Sequence, residues 1–456
     1  MPTAALITLG CKVNQYDTQA MQEIMLCNGY TIVGETEPAD VYIINTCTVT
    51  NVADQKARQI IRRAIRKNPE AQVMVTGCYA ESDREAIEQI PGISLVFGNR
   101  EKAELQKYVD LLREPFVDKH TSPLLRIEPV HHDALREHTN FSVSVSEAGR
   151  HTRALIKVQD GCSAFCTYCI IPYVRGRMTS RSLPDIVREA EQIAANGYKE
   201  VVITGVHLGA YGLDIGRKTT IADILEHLQQ IEGIERIRLS SIEAMNFPAD
   251  LVDRMAALPK CMPHFHLPLQ AGSDKILRRM RRRYTTEQYA YLVEKLRVSF
   301  PNVGLTTDVM VGFPGETDAD FEESLRFVQE IGFNQLHVFR YSPRRGTPAA
   351  DYPDQVPPHV SAERSTVMIT LGRRLGFEFR RRMLGKTMEV LVEDSREGKE
   401  QHLAGFTGNY LRVLTDLPDP AINQVLPVKL VGLEKEFVRA ELLSNKHQSN
   451  ILRNRD

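Results

Sequence analysis

The chain has 456 residues, of which 25% are charged and 42% hydrophobic, and its 57 basic side chains nearly balance 58 acidic ones. A single core rarely exceeds about 250–300 residues, so we expect two or three domains. The composition excludes a long disordered chain, and no run of about 18 uncharged apolar residues predicts a membrane span. The first residues read as a strand and not as a signal peptide, so we expect a cytoplasmic protein.

The first hundred residues alternate between short apolar runs and helical stretches, a pattern typical of an α/β domain with an open parallel sheet. The apolar runs cover residues 4–9, 41–44, 72–76 and 93–97. Cys11, Cys47 and Cys78 each stand at the end of one of these runs. Because ligands bind outside the carboxyl ends of the strands in such sheets, we expect the three thiols to converge on one rim. The alternative is three unrelated buried cysteines.

Three further regions follow this N-terminal domain, which we assign to residues 1–115. Residues 116–150 predict a linker, in which His131, His132 and His138 lack the spacing of a good metal site. Residues 151–378 repeat a strand–helix pattern that predicts a partial or full (β/α) barrel. Its strands are predicted at 154–158, 200–204, 236–239, 264–268, 304–311 and 335–341. Residues 379–445 contain short strands between Gly and Pro turns, which indicate a small β-barrel.

The strongest chemical signal is a loop in which Cys162, Cys166 and Cys169 have the spacing C-x3-C-x2-C. Three thiolates can bind three irons of a [4Fe–4S] cube and leave the fourth iron open. S-adenosyl-L-methionine (SAM) can chelate that iron through its amino and carboxylate groups, and an electron from the cluster can then split its S–C bond. A zinc site is the alternative, but it needs a fourth ligand, for which His207 is a remote candidate.

This loop, with Tyr168 before its third cysteine, resembles the radical SAM superfamily. The segment "QDGCSAFCTYCIIPYVRGRMTSR" at residues 159–181 is similar to the methylthiotransferase family. Further motifs of that family stand upstream and downstream of it: "TLGCKVNQYD", "INTCTVT", "TGCYAE", "TGVHLGAYG", "HLPLQAGSD" and "TTDVMVGFPGET". The C-terminal barrel resembles a TRAM domain, an oligonucleotide-binding type of fold.

The resemblance implies two [4Fe–4S] clusters and a division of labour between them. Cys162, Cys166 and Cys169 would hold the cluster that binds and cleaves SAM, and Cys11, Cys47 and Cys78 a second cluster that carries sulfur. SAM would serve both as radical source and as methyl donor. A radical is needed because the adenine C2–H, where the methylthio group is added, is too weakly acidic for a side-chain base. A low-potential electron donor and a sulfur donor are implied as partners.

The family has branches with different substrates. The residues Lys12 and Val13 within "TLGCKVNQYDTQAM", and the motif "GCYAE", are most similar to the branch that acts on N6-threonylcarbamoyladenosine beside the tRNA anticodon, at position 37. The alternatives are isopentenyladenosine in tRNA, an aspartate of a ribosomal protein, and a non-catalytic iron–sulfur protein that binds RNA.

Several residues are candidates for contacts with SAM. Tyr168 is expected to pack on its adenine, although ordinary loop packing is the alternative. Glu243, Gln270 and Gly312 stand at predicted strand ends, and Asp308 lies within a strand, where alternation can point it into the barrel. Cys27 and Cys261 lie outside all motifs and are expected to be packed thiols.

Binding of a tRNA anticodon stem-loop requires basic side chains that contact its phosphates. Because the overall charge of the chain is nearly zero, these side chains must be clustered at one place. Three basic clusters are candidates, and a solvated helix face is the alternative for each. They are Arg175 with Arg177 and Arg181, the run at 278–283, and the run at 380–382.

Overall fold

The computed structural model describes residues 1–113, 125–126, 152–216, 219–398 and 400–443. They divide into two compact units. The first unit takes the described residues up to 126, together with 157–185 and 342–351, and the second takes the rest. Among the helices of these residues, none combines the length and the apolar character that crossing a membrane requires.

The first unit is built on a six-stranded sheet in which every neighbouring pair is parallel. Its strands are β1 (Thr3–Thr8), β2 (Thr31–Ile32), β3 (Val41–Thr46), β4 (Gln72–Gly77), β5 (Leu95–Val96) and β6 (Leu125–Arg126), in the order β2-β1-β3-β4-β5-β6. All six residues of β3 are buried, since apolar clusters cover both faces of the sheet. This matches the rule that parallel sheets are covered on both sides and read as continuous apolar runs.

Helices connect these strands, as the alternating pattern predicts. They are α1 (Lys12–Cys27), α2 (Asn51–Lys67), α3 (Cys78–Ser82), α4 (Arg84–Glu88) and α5 (Leu105–Arg113). Strand β6 lies inside the predicted linker, so residues 125–126 extend the sheet where no element was expected. His131, His132 and His138 lie outside the described residues.

The remaining part of the first unit is the cysteine loop and its flanks. Two short antiparallel strands, β8 (Gln159–Asp160) and β9 (Thr179–Ser180), close the loop at its base, and it contains helix α6 (Ile171–Val174). The strand–helix pattern places 157–185 in the barrel domain, whereas the structure groups these residues with the N-terminal sheet in one compact unit. Buried ion pairs, described below, connect the loop with the sheet.

The second unit begins with a partial barrel of parallel strands. They are β7 (Arg153–Lys157, of which Lys157 belongs to the first unit), β10 (Glu200–Thr204), β11 (Arg236–Leu239), β12 (His264–His266), β13 (Gly304–Val311) and β14 (Gln335–Arg340). They form the sheets β11-β10-β7 and β12-β13-β14, joined by the parallel bridges Ile237–Cys261 and Ser241–His266. The prediction left open a partial or a full barrel, and six strands make it partial.

Helices alternate with these strands and pack around them. They are α7 (Leu183–Ala195), α8 (Ile221–Gln229), α9 (Leu251–Ala256), α10 (Asp274–Arg279), α11 (Thr286–Ser299), α12 (Asp318–Ile331) and the long α13 (Pro358–Met383). Helices α11 and α12 both begin at a capping box, in which the side chain before the helix and the one three positions later bind each other's backbone.

The C-terminal region of the second unit is a closed five-stranded barrel, as predicted. Its strands are β15 (Thr387–Glu397), β16 (His402–Thr407), β17 (Arg412–Thr415), β18 (Val425–Glu434) and β19 (Phe437–Leu442), in the order β15-β16-β17-β19-β18. It docks on the amino ends of the partial-barrel strands, where Arg236 and Arg238 donate to the backbone carbonyls of Phe406 and Gly408, both at 2.9 Å. Glu200 lies 3.0 Å and 2.8 Å from these two guanidinium groups. The small barrel therefore sits opposite the carboxyl ends of the strands.

Candidate active site

The three N-terminal cysteines lie at the carboxyl ends of adjacent parallel strands, as the topology predicts. Thr46 and Gly77 are register partners in β3 and β4, so Cys47 and Cys78 follow two residues that lie side by side. Cys11 follows the neighbouring strand β1 and directly precedes α1. Burial raises the pKa of the Cys47 thiol to about 11, and the nearby Cys78 and Cys11 thiols add to this increase. Cys47 is therefore close to both other thiols, as expected for residues on one rim.

Glycines that precede two of these cysteines let the chain segments approach closely. Gly10 has a φ of 101°, and a Cβ at this position would lie 2.7 Å from the Cβ and 3.0 Å from the Sγ of Cys47. Gly77 has a φ of 99°, and its Cβ would lie 2.3 Å from the carbonyl oxygen of Thr46. Only glycine adopts this left-handed backbone without cost. The rim therefore depends on glycine at both positions.

We expect a Gly10→Ala substitution to destabilise the protein by about 1–3 kcal/mol, through the strained backbone and the clash with Cys47. Urea unfolding measures this change. Gly29→Ala is the matched control, since Gly29 has a φ of 78° in the same unit but nothing within 4 Å of its added Cβ. An equal loss in both variants would mean that the approach of Cys47 to Gly10 is unimportant.

The second thiol triad stands on one short loop of the same unit. The backbone N–H of Cys162 donates to the carbonyl of Gly176 at 3.1 Å, and that of Cys169 donates to Cys166 at 3.0 Å. Cys166 is buried, whereas Cys162, Cys169 and Tyr168 are partly exposed. Phe165, at a φ of 50°, and Tyr173 are exposed aromatic rings in edge-to-face contact, with centroids 5.8 Å apart. Two thiols and several aromatic rings of the loop are thus at least partly exposed.

A buried group of ions connects the cysteine loop with the N-terminal sheet. The Asp17 carboxylate is 2.9 Å from Lys102 Nζ, 2.6 Å from Lys157 Nζ and 3.5 Å from the Arg175 guanidinium. Arg175 also lies 2.8 Å from Asp160, and Lys157 lies 3.2 Å from it. Burial alone would raise the pKa of Asp17, but Lys102, Lys157 and Arg175 outweigh it and hold this pKa well below its ordinary value. We call these five residues the Asp17 ion cluster.

Two asparagines connect the Asp17 ion cluster with the thiol rim through hydrogen bonds. Asn14 accepts a hydrogen bond from Arg175 and donates to the carbonyls of Leu9 and Thr46 at 2.8 Å and 2.9 Å, so it ties together the strand ends that precede Cys11 and Cys47. Asn99 accepts from Lys102 at 2.8 Å, and its amide nitrogen is 3.8 Å from the Cys78 sulfur. Each asparagine therefore links a cation of the cluster to the thiol rim.

The donor chemistry of both triads fits an iron–sulfur cube better than a single metal ion. Among the described residues, no group of three or more His, Cys, Asp or Glu side chains has the spacing of ligands to one ion. A cube binds each thiolate to a different iron, so its ligands stand farther apart than those of one ion. The first set has one exposed thiol, Cys11, and the second has two partly exposed thiols, Cys162 and Cys169. Either set provides three thiolates that could hold a cube by three of its irons.

Comparison with known proteins agrees with this geometry. The family model of the "Radical SAM superfamily" matches residues 156–328, and "Uncharacterized protein family UPF0004" matches residues 3–98. A protein of Bacillus subtilis (strain 168), "Threonylcarbamoyladenosine tRNA methylthiotransferase MtaB", is 39% identical over 447 residues, which are 96% of this chain and 97% of that protein. The "tRNA-2-methylthio-N(6)-dimethylallyladenosine synthase" of Pelotomaculum thermopropionicum is 36% identical over 449 residues, with 97% and 98% coverage.

The chain belongs to the radical SAM tRNA methylthiotransferases. Membership implies a [4Fe–4S] cluster and SAM as cofactors and tRNA as the substrate. Among solved structures, the radical SAM methyltransferase TsrM of Kitasatospora setae superposes with a TM-score of 0.54 over 77% of each chain. At 18% identity, this likeness extends to the fold alone.

The candidate SAM contacts of this methylthiotransferase lie in both units. Tyr168 belongs to the first unit, and Glu243, Gln270, Asp308 and Gly312 belong to the second, at or near the carboxyl ends of partial-barrel strands. The structure brings Gln270 and Asp308 together, because the Gln270 N–H donates to the Asp308 carbonyl at 2.8 Å. The Asp308 carboxylate is 3.2 Å from His266.

Glu243 and Gly312 have partners that sequence analysis did not foresee. Glu243 forms an ion pair with Arg282, which is buried and donates to the Pro268 carbonyl at 3.1 Å. The N–H of Gly312 donates to the Glu316 carboxylate at 2.7 Å. A Cβ at position 312 would lie 2.6 Å from the Cβ of Ser361, so Gly312 also serves a close approach of helix α13. Their contacts with SAM stay predictions.

Some arginines predicted to contact RNA phosphates are buried instead. Arg175 lies in the Asp17 ion cluster, and Arg181 is half-buried and donates to Tyr16 at 3.1 Å and to the Lys157 carbonyl at 2.9 Å. Arg282 is buried and forms an ion pair with Glu243. The predicted phosphate contact was wrong for Arg175 and Arg282, because both guanidinium groups are buried in ion pairs. For the half-buried Arg181 it stays a prediction. Arg177, Arg278, Arg281, Arg283, Arg381 and Arg382 remain exposed.

His207, the remote zinc ligand considered above, is a buried residue of the second unit. Its Nε2 is 3.2 Å from the carbonyl oxygen of Met245. Burial lowers the pKa of this imidazole. Its contact with a backbone carbonyl and the family assignment both favour a structural role over zinc binding.

Proposed function

We propose that this enzyme adds a methylthio group to C2 of N6-threonylcarbamoyladenosine at position 37 of tRNA, with two [4Fe–4S] clusters. Cys162, Cys166 and Cys169 would hold the cluster that binds SAM, and Cys11, Cys47 and Cys78 the second. The observation that carries the proposal is that both triads belong to one compact unit and are linked by the Asp17 ion cluster. Sulfur transfer between two clusters requires such a fixed arrangement.

The bound cofactors would supply a carbon radical from SAM, a methyl group from a second SAM, and the sulfur. The protein itself holds and orients these groups. The thiol of Cys47 is buried, and the glycines at positions 10 and 77 fix the rim on which it stands. Phe165 and Tyr173 place two exposed aromatic rings on the cysteine loop. Once bound substrate covers them, these rings would help to exclude water, which protects reactive intermediates from side reactions.

The choice of the threonylcarbamoyl substrate is supported by the Bacillus subtilis relative and by Lys12 and Val13 beside Cys11. The Pelotomaculum thermopropionicum relative, at a similar identity, supports isopentenyladenosine as the second candidate. The test is mass analysis of tRNA nucleosides from cells that lack the gene. We expect loss of methylthiolated threonylcarbamoyladenosine with methylthiolated isopentenyladenosine unchanged. Loss of the isopentenyl product alone, or a mass change on a ribosomal protein, would overturn this substrate.

We expect the five-stranded barrel to contribute to tRNA binding through Arg381 and Arg382, which are exposed at the end of α13. Charge reversal at both positions, Arg381→Glu with Arg382→Glu, should weaken tRNA binding. The slope of log K against log salt concentration should become shallower by about 0.7–0.9 for each phosphate that the variant no longer neutralises. SAM cleavage without tRNA should stay unchanged, because the barrel docks at the amino ends of the strands and the candidate SAM contacts lie near the carboxyl ends.

The control for this pair is the double variant Arg62→Glu with Arg63→Glu, which reverses two adjacent exposed arginines on helix α2. It changes the net charge equally but at another surface. If both double variants weaken tRNA binding to the same extent, the effect is one of net charge and the barrel has no specific part in it.

A further inference from the structure

Arg175 is a permanent positive charge in the interior of the first unit. Its side chain is 1% exposed, and a guanidinium stays protonated throughout the accessible pH range. One of its nitrogens lies 2.8 Å and 3.0 Å from the two oxygens of Asp160. The other lies 3.5 Å from Asp17 and donates to Asn14. Arg175 thus stands between the carboxylates of the Asp17 ion cluster and the residue that ties the thiol rim together.

The residue next to Arg175 contacts the N-terminal triad. Val174 packs against Cys78, and its carbonyl accepts from the Asn99 amide at 2.9 Å. Burial alone would lower the pKa of Arg175, but Asp160, Cys78, Asp17 and Cys11 outweigh it and hold that pKa well above its ordinary value. Arg175 also opposes the effect of burial on the pKa of Cys47. Together with the Asn14 link and the packing of Val174 on Cys78, this places the Arg175 charge in the immediate surroundings of the rim.

The charged groups around the rim are balanced in number, so the loss of one cation leaves a net negative charge there. The Asp17 ion cluster has three cations (Lys102, Lys157 and Arg175) and two carboxylates. Lys102 reaches Cys78 through Asn99, at 2.8 Å and 3.8 Å for the two contacts. Glu81, which accepts from the backbone N–H of Asn99 at 2.6 Å, interacts with Arg100, Lys102 and Glu101. With these groups included, four cations face four carboxylates, and Arg175 is one of the four cations.

We propose that Arg175 sets the reduction potential of the cluster held by Cys11, Cys47 and Cys78, by stabilising its reduced form as a fixed counter-charge. The inference rests on the proposed function, which assigns a cluster to this triad. On reduction the cluster gains one electron from a one-electron donor, and the added negative charge lies in a buried region where Coulomb interactions are strong. Arg175 contacts none of the reacting atoms, so its role is one of electrostatic positioning.

The experiment isolates the N-terminal cluster and measures its midpoint potential. A background with Cys162→Ala, Cys166→Ala and Cys169→Ala removes the other set of ligands from the full-length chain. The protein is reconstituted anaerobically with iron and sulfide and titrated with dithionite, with the reduced cluster followed by electron paramagnetic resonance. In this background, Arg175→Gln should lower the ratio of reduced to oxidised cluster at a fixed potential about tenfold, a negative shift of about 59 mV.

Two further variants distinguish the loss of the Arg175 charge from a loss of local structure as the cause of the shift in potential. Asp160→Asn leaves Arg175 less neutralised, so the potential should shift in the positive direction. Arg175→Lys retains the charge and should stay close to the parent even though it loses the forked hydrogen bonds. The matched control is Arg84→Gln, which removes an arginine paired with Glu88 at 2.8 Å in the same unit and should leave the potential unchanged.

Each outcome is decisive. Shifts of Arg175→Gln and Asp160→Asn in the same direction, or no shift in either, overturn the inference while leaving the two-cluster function intact. If Arg175→Gln does not fold, the sign of the Asp160→Asn shift and the position of Arg175→Lys decide the question. A background protein that takes up no cluster, although the parent chain takes up one, overturns the two-cluster function itself and the inference with it.

Discussion

We expect the Cys166→Ala variant to form neither 5′-deoxyadenosine nor methylthiolated nucleoside, whereas Cys47→Ala should form 5′-deoxyadenosine and lose only the nucleoside product. Both losses should reach the background level, because ligands of one cluster act as a unit and removal of one disables the set. The physical reason for the difference is that Cys166 belongs to the SAM-binding loop and Cys47 to the rim of the N-terminal sheet.

The measurement is anaerobic incubation of the reduced protein with SAM and tRNA, followed by quantification of 5′-deoxyadenosine and modified nucleoside in the same sample. Cys27→Ala is the control, since Cys27 lies at the end of α1 outside both triads, and this variant should retain both products. Cys27 is exposed, so the prediction of a packed thiol was wrong for it, whereas Cys261 is buried as predicted. Methylthiolated nucleoside from the Cys47→Ala variant would show that the N-terminal triad is not needed, and the two-cluster division of labour would be wrong.

Much of the fold follows from local patterns. The strands predicted at 200–204, 236–239 and 304–311 have those bounds in the structure. The first and third are rich in apolar and β-branched residues, and the second alternates arginine with apolar residues, which is the period of a strand. The sequence pattern predicts a helix over 16–28, but α1 begins at Lys12, directly after Cys11. Its first turn lacks an acidic residue and a capping side chain, so the usual start signals were missing.

The convergence of Cys11, Cys47 and Cys78 could also be predicted from the sequence, because parallel topology places successive strand ends on one rim. The Asp17 ion cluster could not be predicted. Its members are spread from residue 17 to residue 175 and meet only through tertiary packing. One signal was available: Asn14 and Asp17 occupy the buried face of α1 together with Val13 and Met21. Polar residues at core positions of a helix indicate buried partners, which here are the cations of the ion cluster.

Some arginines predicted to lie on an RNA-binding surface are buried. A run of basic residues in a loop or helix reads as a phosphate-binding surface, but sequence alone does not say which side chains point inward. Arg175 and Arg282 point inward, and each has a carboxylate partner far away in the sequence, at Asp17 and Glu243. Net charge near a motif is therefore a poor guide to RNA contact unless burial is known.

Asp17 is expected to contribute strongly to the stability of the folded protein. We expect Asp17→Ala to destabilise the protein by about 3–5 kcal/mol, because it leaves buried cations without their shared counter-ion. Lys102 is affected most, since it then keeps only its hydrogen bond to Asn99, whereas Lys157 and Arg175 retain Asp160. Chemical unfolding of anaerobically reconstituted protein at neutral pH measures the change in the free energy of unfolding.

Two comparisons make this prediction specific. The double variant Asp17→Asn with Lys102→Met should regain a large part of the loss, because replacing both buried partners is far less costly than removing one. Asp40→Asn, which removes an exposed carboxylate bonded to Thr3, should cost no more than about 1 kcal/mol. If the double variant is less stable than Asp17→Ala, an unpaired Lys102 is not the source of the loss.

The pH dependence of stability follows with a defined sign. Because the pKa of Asp17 is lower in the folded protein than its ordinary value of 3.8, its contribution is fully present above that value. It is lost progressively as the pH falls from 3.8 toward the depressed folded pKa, where the carboxylate takes up a proton. The parent protein should therefore lose stability on acidification more steeply than Asp17→Asn, and parallel curves for the two would contradict an ionised Asp17 at the centre of the cluster.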